Sequence, residues 1–263
     1  MRARLLVTMC AVSALGLGCA EAAVKKVSYP EVKVQLVDAY QPDAGFETLR
    51  KAFVDAVSKK DSNALFGLIG PTFVWTLQGG AIDQFDMGRD ALHNFKVVFG
   101  FRAPGKDEDG GVENGPFWDA LAAFANDGTY YKATDTGSLV CGPIAADIAD
   151  DKVYEQAKKK VETEEDPAEW YFTIADASLA KAPGDTGAPV GKVGKIAMPA
   201  VNSHPAVKEG QAPVPATHVE LLMPNGKTGW LPVASVRPLS AERLCYAKTA
   251  QGAWKIVAYD QAD

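Results

Sequence analysis

The sequence predicts an α+β chain of two domains, a mainly helical one followed by a small β-barrel with a closing hairpin, on three observations. Apolar side chains recur at three- and four-residue spacing at Phe46, Leu49, Phe53 and Val57, which puts them on one face of a helix. Beyond Trp170 the pattern changes to short β-branched and aromatic runs separated by turn residues, the signature of a small antiparallel barrel. A chain of 263 residues is long enough for two ordinary cores. The expected divisions are a leader over residues 1–22, an N-terminal domain over 23–150, a linker over 151–168 and the barrel with its hairpin over 169–263.

The leader is read from its charge pattern. Arg2 and Arg4 precede an uncharged, mostly apolar run over residues 5–17, too short to span a bilayer and typical of a secretory signal peptide. Ala20-Glu21-Ala22 fits cleavage before Ala23, whereas Gly18-Cys19 fits lipidation of Cys19 and tethering to a membrane. A third reading, a buried N-terminal helix, lacks amphipathic spacing. Cleavage removes Arg2, Arg4 and Glu21 from totals of 27 basic and 33 acidic side chains and moves the formal charge from −6 to −7. An acidic chain without a basic face excludes nucleic acid as a partner class, and leaves the membrane only through Cys19.

Residues 32–37 alternate and form either an edge strand or an extended arm. The helix through Phe46 and Val57 is followed by a shorter one capped by Asp61 and stopped at Gly70-Pro71. Residues 72–77 are β-branched and aromatic and read as a strand, 90–98 as a third helix, and Gly115-Pro116 opens a fourth with Phe117, Trp118, Leu121 and Phe124 inward. Residues 153–161 form a charged linker helix, in which Lys158, Lys159 and Lys160 meet Glu162, Glu164, Glu165 and Asp166 and read as a solvated helix end. Strands are then predicted over 170–174, 189–193, 219–223, 228–233, 244–247 and 254–259, the last two joined through Gln251-Gly252.

After the leader is removed two cysteines remain, Cys141 and Cys245. An oxidising compartment makes a disulfide between them the natural inference. It closes a loop of roughly a hundred residues and stabilises by about 4 to 5 kcal/mol in the chain-entropy model. It is expected to lock the hairpin onto the first domain; two buried free thiols are the alternative.

Two stretches, ASLAKAPGDTGAPVGKVGK and THVELLMPNGKTGWLPVASVRPL, resemble the bacterial SH3-like domain over residues 170–238, the G-x-x-G-W element being its specific part. Ala180 replaces the family's usual arginine, and residues 202–216 form a longer insertion. The resemblance implies attachment to cell-wall material, peptidoglycan above all, or to an envelope peptide or protein, through an aromatic cleft near Trp230 and Tyr171. The whole chain also resembles secreted bacterial proteins that join a signal peptide, a helical domain, an SH3-like domain and a closing hairpin, here residues 251–259. That supplies an architecture and no functional residues. A weaker likeness is to NTF2-like domains, which open much like FETLRKAFVDAVSKKDSNALFGLI, continue like PTFVWTL and close like AWKIVAY. It implies a cone with an apolar pocket, although the intervening region reads as helical and lacks the long bent sheet.

No catalytic residues, cofactor or metal are expected. Asp107, Asp109 and Glu113 lack the spacing of a calcium loop. GAPVGK has three residues where a phosphate loop has four. His93 falls in a helix beside Phe95, and Trp75, Trp118, Trp170 and Trp254 read as core. The functional expectation is an exported, non-enzymatic binding protein. A structural role in the envelope, or a small-ligand carrier or enzyme with a pocket in the first domain, are the alternatives.

Overall fold

In the computed structural model, helix α1 (Ala44–Ser58) starts at Asp43, whose side chain accepts the Phe46 backbone N–H at 2.8 Å. The same device recurs. Asp61 caps α2 (Ser62–Phe66), Asp90 caps α3 (Ala91–Val98) and Asp150 caps α5 (Asp151–Val161), each satisfying an N–H that the helix leaves unpaired. Helix α4 (Gly115–Asn126) buries Phe117, Trp118, Leu121 and Phe124, the face that its sequence specifies. The structure describes residues 24–76, 90–101, 115–133, 137–163, 169–204 and 216–260. The leader with Cys19 and the acidic loop with Asp107, Asp109 and Glu113 lie outside them.

The expectation of a mainly helical N-terminal domain is overturned. Among the described residues, strands take 35% against 29% in helices. Helices α1, α3 and α4 pack on a five-stranded sheet of order β2-β14-β13-β4-β3, formed by Ile69–Thr76, Trp254–Asp260, Arg243–Lys248, Val140–Gly142 and Tyr131–Lys132. The hairpin expected to close a barrel is therefore the centre of this sheet. β14 runs parallel to β2, with Ile256 opposite Ile69 and Ala258 opposite Val74, and β13 runs antiparallel to β4. The physical reason is sequence distance, because β3 and β4 are too short to show a period and gain their partners from the far end of the chain.

The second sheet is antiparallel throughout and curls into a half-barrel. Its order is β11-β10-β9-β1-β5, formed by Thr228–Pro232, His218–Leu222, Ile196–His204, Val32–Leu36 and Ala146–Ile148. β6 (Trp170–Thr173) pairs with β9 and with β12 (Val236–Pro238), and β7 (Ala177–Leu179) with β8 (Gly191–Val193) forms a separate hairpin. The long strand β9 serves three neighbours. Its first residues pair with β1 and β6, and its later ones, from Ala200, with β10. β1 is thus neither an arm nor an edge but an interior strand, lent by the segment ahead of α1 to the half-barrel.

The G-x-x-G-W element has a local explanation. Gly226 has φ +80° in the turn between β10 and β11, a left-handed conformation that glycine takes without steric cost. At Gly229 a Cβ would come within 2.6 Å of the Val190 side chain and 2.7 Å of Leu179 Cβ, so only glycine lets the β7–β8 hairpin lie against β11. A short 3-10 turn, Val233–Ser235, follows and leads into β12.

Three apolar clusters hold these layers. The first lies between the helices and the five-stranded sheet, where Phe46, Phe53, Phe73, Phe95, Phe117, Tyr246 and Ile256 are buried. Many of its rings meet edge to face, as Phe46 does with Tyr130 at 4.8 Å and with Tyr246 at 5.2 Å. The second lies on the other face of that sheet and joins Cys141, Cys245 and Ala258 to Val34, Tyr154, Ala157, Trp170 and Phe172. Helix α5, expected as a charged linker, buries Tyr154, Ala157 and Val161 in this cluster. The third fills the half-barrel with Leu179, Met198, Leu221, Leu231 and Val236. The middle of the five-stranded sheet is thus buried on both faces, while Val74 on its edge strand β2 stays exposed, and alternation along β13 places Leu244 and Tyr246 with the helices and Cys245 with the half-barrel side.

Candidate functional site

Cys141 and Cys245 are joined by a disulfide. They stand directly opposite each other in the β4–β13 pairing, with Cα atoms 4.1 Å apart. The bridge ties two strands of one sheet, and the chain between them carries α5 and strands β5 to β12. It is compatible with an exported protein. Among the described residues no helix is long and apolar enough to cross a membrane.

Trp230 and Tyr171 are not brought together. Tyr171 is half-buried against the half-barrel's inner cluster, and burial raises the pKa of its phenol. On β11 it is Leu231 that enters this cluster, so Trp230, one residue earlier, lies on the opposite face of the strand. The Trp230 backbone exchanges two hydrogen bonds of 2.9 Å with Ala180, which ties β11 to the end of β7. Of the other tryptophans, Trp118 and Trp170 are buried, while Trp75 and Trp254 are half-buried against the helix-side cluster. His93 follows the cap of α3 and donates its backbone N–H to Asp90 at 2.7 Å.

Among the described residues, the surface clefts include three that neither Trp230 nor Tyr171 lines. One, about 420 Å³, lies along the β7–β8 hairpin beside Asp176, Ser178 and Lys192. Another, about 240 Å³, is apolar and lies between β2 and β13 beside Val74, Leu139, Ala247 and Val257. The third, about 460 Å³, lies at the end of the five-stranded sheet. Its walls include the Tyr40 and Trp254 rings, whose centroids are 5.9 Å apart, and its charged groups are Asp43, Lys132 and Lys248.

This third cleft has the most developed chemistry. Asp43 Oδ1 accepts the Phe46 backbone N–H at 2.8 Å and the Trp254 Nε1–H at 3.0 Å. Its Oδ2 accepts the Tyr40 hydroxyl at 3.4 Å and lies 3.0 Å from Lys248 Nζ. The Lys248 ammonium also sits 5.2 Å from the centre of the Trp254 ring, a cation–π distance. One carboxylate therefore fixes the start of α1, the first residue of β14 and the last of β13. The backbone donor of Phe46 is the largest cause, with Lys248 next, that lowers the Asp43 pKa from 3.8 to about 2. Tyr40 moves the other way, its phenol pKa raised mainly by burial, so it stays a proton donor to Asp43.

A pH prediction follows from Asp43. Because its folded pKa lies below its unfolded value, its contribution to stability is complete above about pH 5 and is lost as pH falls from about 4 towards 2. Asp43→Asn keeps a cap oxygen but carries no proton equilibrium. Melting temperatures of the two proteins across pH 2 to 6 are expected to converge at the acid end; parallel curves would sink the assignment.

Sequence reasoning missed this cleft. Trp254 read as core, and nothing in the segments around Asp43, Lys132 and Lys248 marked them as neighbours. The Trp254–Asp43 hydrogen bond spans 211 residues. No family model, curated protein or solved structure matches the chain.

Proposed function

We propose that this is an exported, non-enzymatic binding protein that attaches to cell-wall material or to an envelope peptide, carried out of the cytoplasm by the leader over residues 1–22. The observation that carries the reading is the cleft at the end of the five-stranded sheet, where two aromatic rings and Lys248 surround the engaged Asp43 carboxylate and Lys132 lines the same opening. Clefts of a few hundred Å³ with apolar walls and a few placed polar groups are the usual form of a ligand site. The half-barrel keeps its proposed likeness to SH3-like domains, which is supported by the turn at Gly226, the close approach at Gly229 and the short 3-10 turn before β12.

Co-sedimentation of the purified protein with peptidoglycan sacculi tests the reading, beside Trp230→Ala and Tyr40→Ala variants verified as folded. Wild-type protein is expected in the pellet. Loss with Tyr40→Ala locates binding in the cleft, and loss with Trp230→Ala locates it on the outer face of the half-barrel. Wild-type protein that stays in the supernatant would remove the cell wall as a partner.

A further inference from the structure

We infer that the cleft between Tyr40 and Trp254 binds a peptide bearing a free carboxylate, which the ammonium groups of Lys132 and Lys248 hold while its neighbouring aliphatic carbons lie on the two rings. This rests on the binding reading above and deepens it by naming the chemistry of the ligand.

Donors outnumber free acceptors among the charged groups of the cleft. A carboxylate has about four acceptor positions, and those of Asp43 are taken by Phe46 N–H, Trp254 Nε1–H, Tyr40 O–H and Lys248 Nζ. An ammonium or amide donor on a ligand therefore finds no acceptor left on Asp43. Donors are in surplus. Lys248 has three N–H groups and Asp43 engages it through one oxygen. Lys132 lines the same cleft, is exposed, and has no carboxylate partner among the described residues. The cleft therefore selects an acceptor, and a carboxylate suits an ammonium pair in charge and size.

Two further features narrow the class. The Tyr40 and Trp254 walls offer apolar surface to carbon atoms beside the carboxylate. The chain carries a formal charge of −6, which repels a polyanion but costs a singly charged ligand little. A short peptide with one free carboxylate meets both conditions. The same chemistry comes from two sources, the D-amino-acid ends of cell-wall peptides and the L-amino-acid ends of proteins.

Calorimetric titration of the full chain with N-acetyl trialanine separates them, using a free acid ending in D-alanine, a free acid ending in L-alanine, and the C-terminal amide of each. The free acid is expected to bind, and amidation to weaken binding roughly tenfold to a hundredfold. Lys132→Met, at an exposed position, is expected to weaken it similarly and Lys132→Arg to restore it. Preference for the D-ended acid identifies the wall as the source, and preference for the L-ended acid identifies a protein. Equal binding of acid and amide, or an unchanged Kd in Lys132→Met, would overturn the inference. Failure of both acids while sacculi still retain the protein overturns the carboxylate site and leaves the binding function standing; failure with sacculi as well removes both.

Discussion

Replacing Cys141 and Cys245 together by alanine is expected to lower the folding free energy by about 4 to 5 kcal/mol, the entropy that a cross-link of this span removes from the unfolded chain. The two positions are 104 residues apart in sequence, so the unbridged chain gains the freedom of a segment that contains α5 and most of the half-barrel. Native domains are stable by roughly 5 to 15 kcal/mol, which makes this one bond a large share of the total. Both sulfurs are buried in the cluster between the two sheets, beside Tyr131 and Ala258, so small cavities add to the loss. Urea unfolding of the oxidised protein, the reduced protein and the double variant measures the effect. The midpoint is expected to fall in both altered forms, with far-UV and tryptophan signals still coincident, because β13 serves the disulfide, the helix-side cluster and the central cluster at once. A loss below about 1 kcal/mol would mean that the unfolded chain is already restrained without the bond, and the loop account would fail.

What the sequence made legible and what it hid divide along contact range. Helix α1 was legible because Phe46, Leu49, Phe53 and Val57 repeat within one window and all are buried. The cap at Asp61 acts within three residues, and the β10–β11 hairpin announces itself in Asn225-Gly226. The five-stranded sheet had no such window. β3 and β4 contribute two and three residues, and their register depends on β13, a hundred residues later. The strand β9, nine residues long, fell partly in a stretch that read as an insertion. The cleft was hidden for the same reason, since Asp43 meets Lys248 and Trp254 only after β13 and β14 have entered the sheet. The disulfide was legible as a pair from the cysteine count, but its place inside one sheet was not.

Arg237→Ala is expected to cost about 3 to 5 kcal/mol, because it leaves the Asp127 carboxylate buried without its counter-charge. Arg237 lies on β12 of the half-barrel, and its Nε stands 2.5 Å from Asp127 Oδ2 at the end of α4, with the two side chains only 11% and 16% exposed. Its Nη1 donates to the carbonyls of Val236 at 2.6 Å and Ala234 at 3.1 Å, so the guanidinium also secures the 3-10 turn. Asp127 is placed where a negative charge is unwelcome, just past a helix C-terminus. It stays there because Oδ1 accepts from the Thr129 N–H at 2.8 Å and from its hydroxyl, while Thr129 Oγ1 in turn accepts the Ile144 N–H at 3.0 Å. The bridge therefore runs from the half-barrel through the end of α4 to the segment between β4 and β5. A double-mutant cycle with Asp127→Asn separates the pair from its surroundings. Asp127→Asn with Arg237→Met, which removes both charges and keeps the aliphatic stem, is expected to be more stable than Arg237→Ala alone. If Arg237→Ala costs under about 1 kcal/mol, Asp127 must find water in place of the guanidinium, and the pair is then no latch between helix and half-barrel.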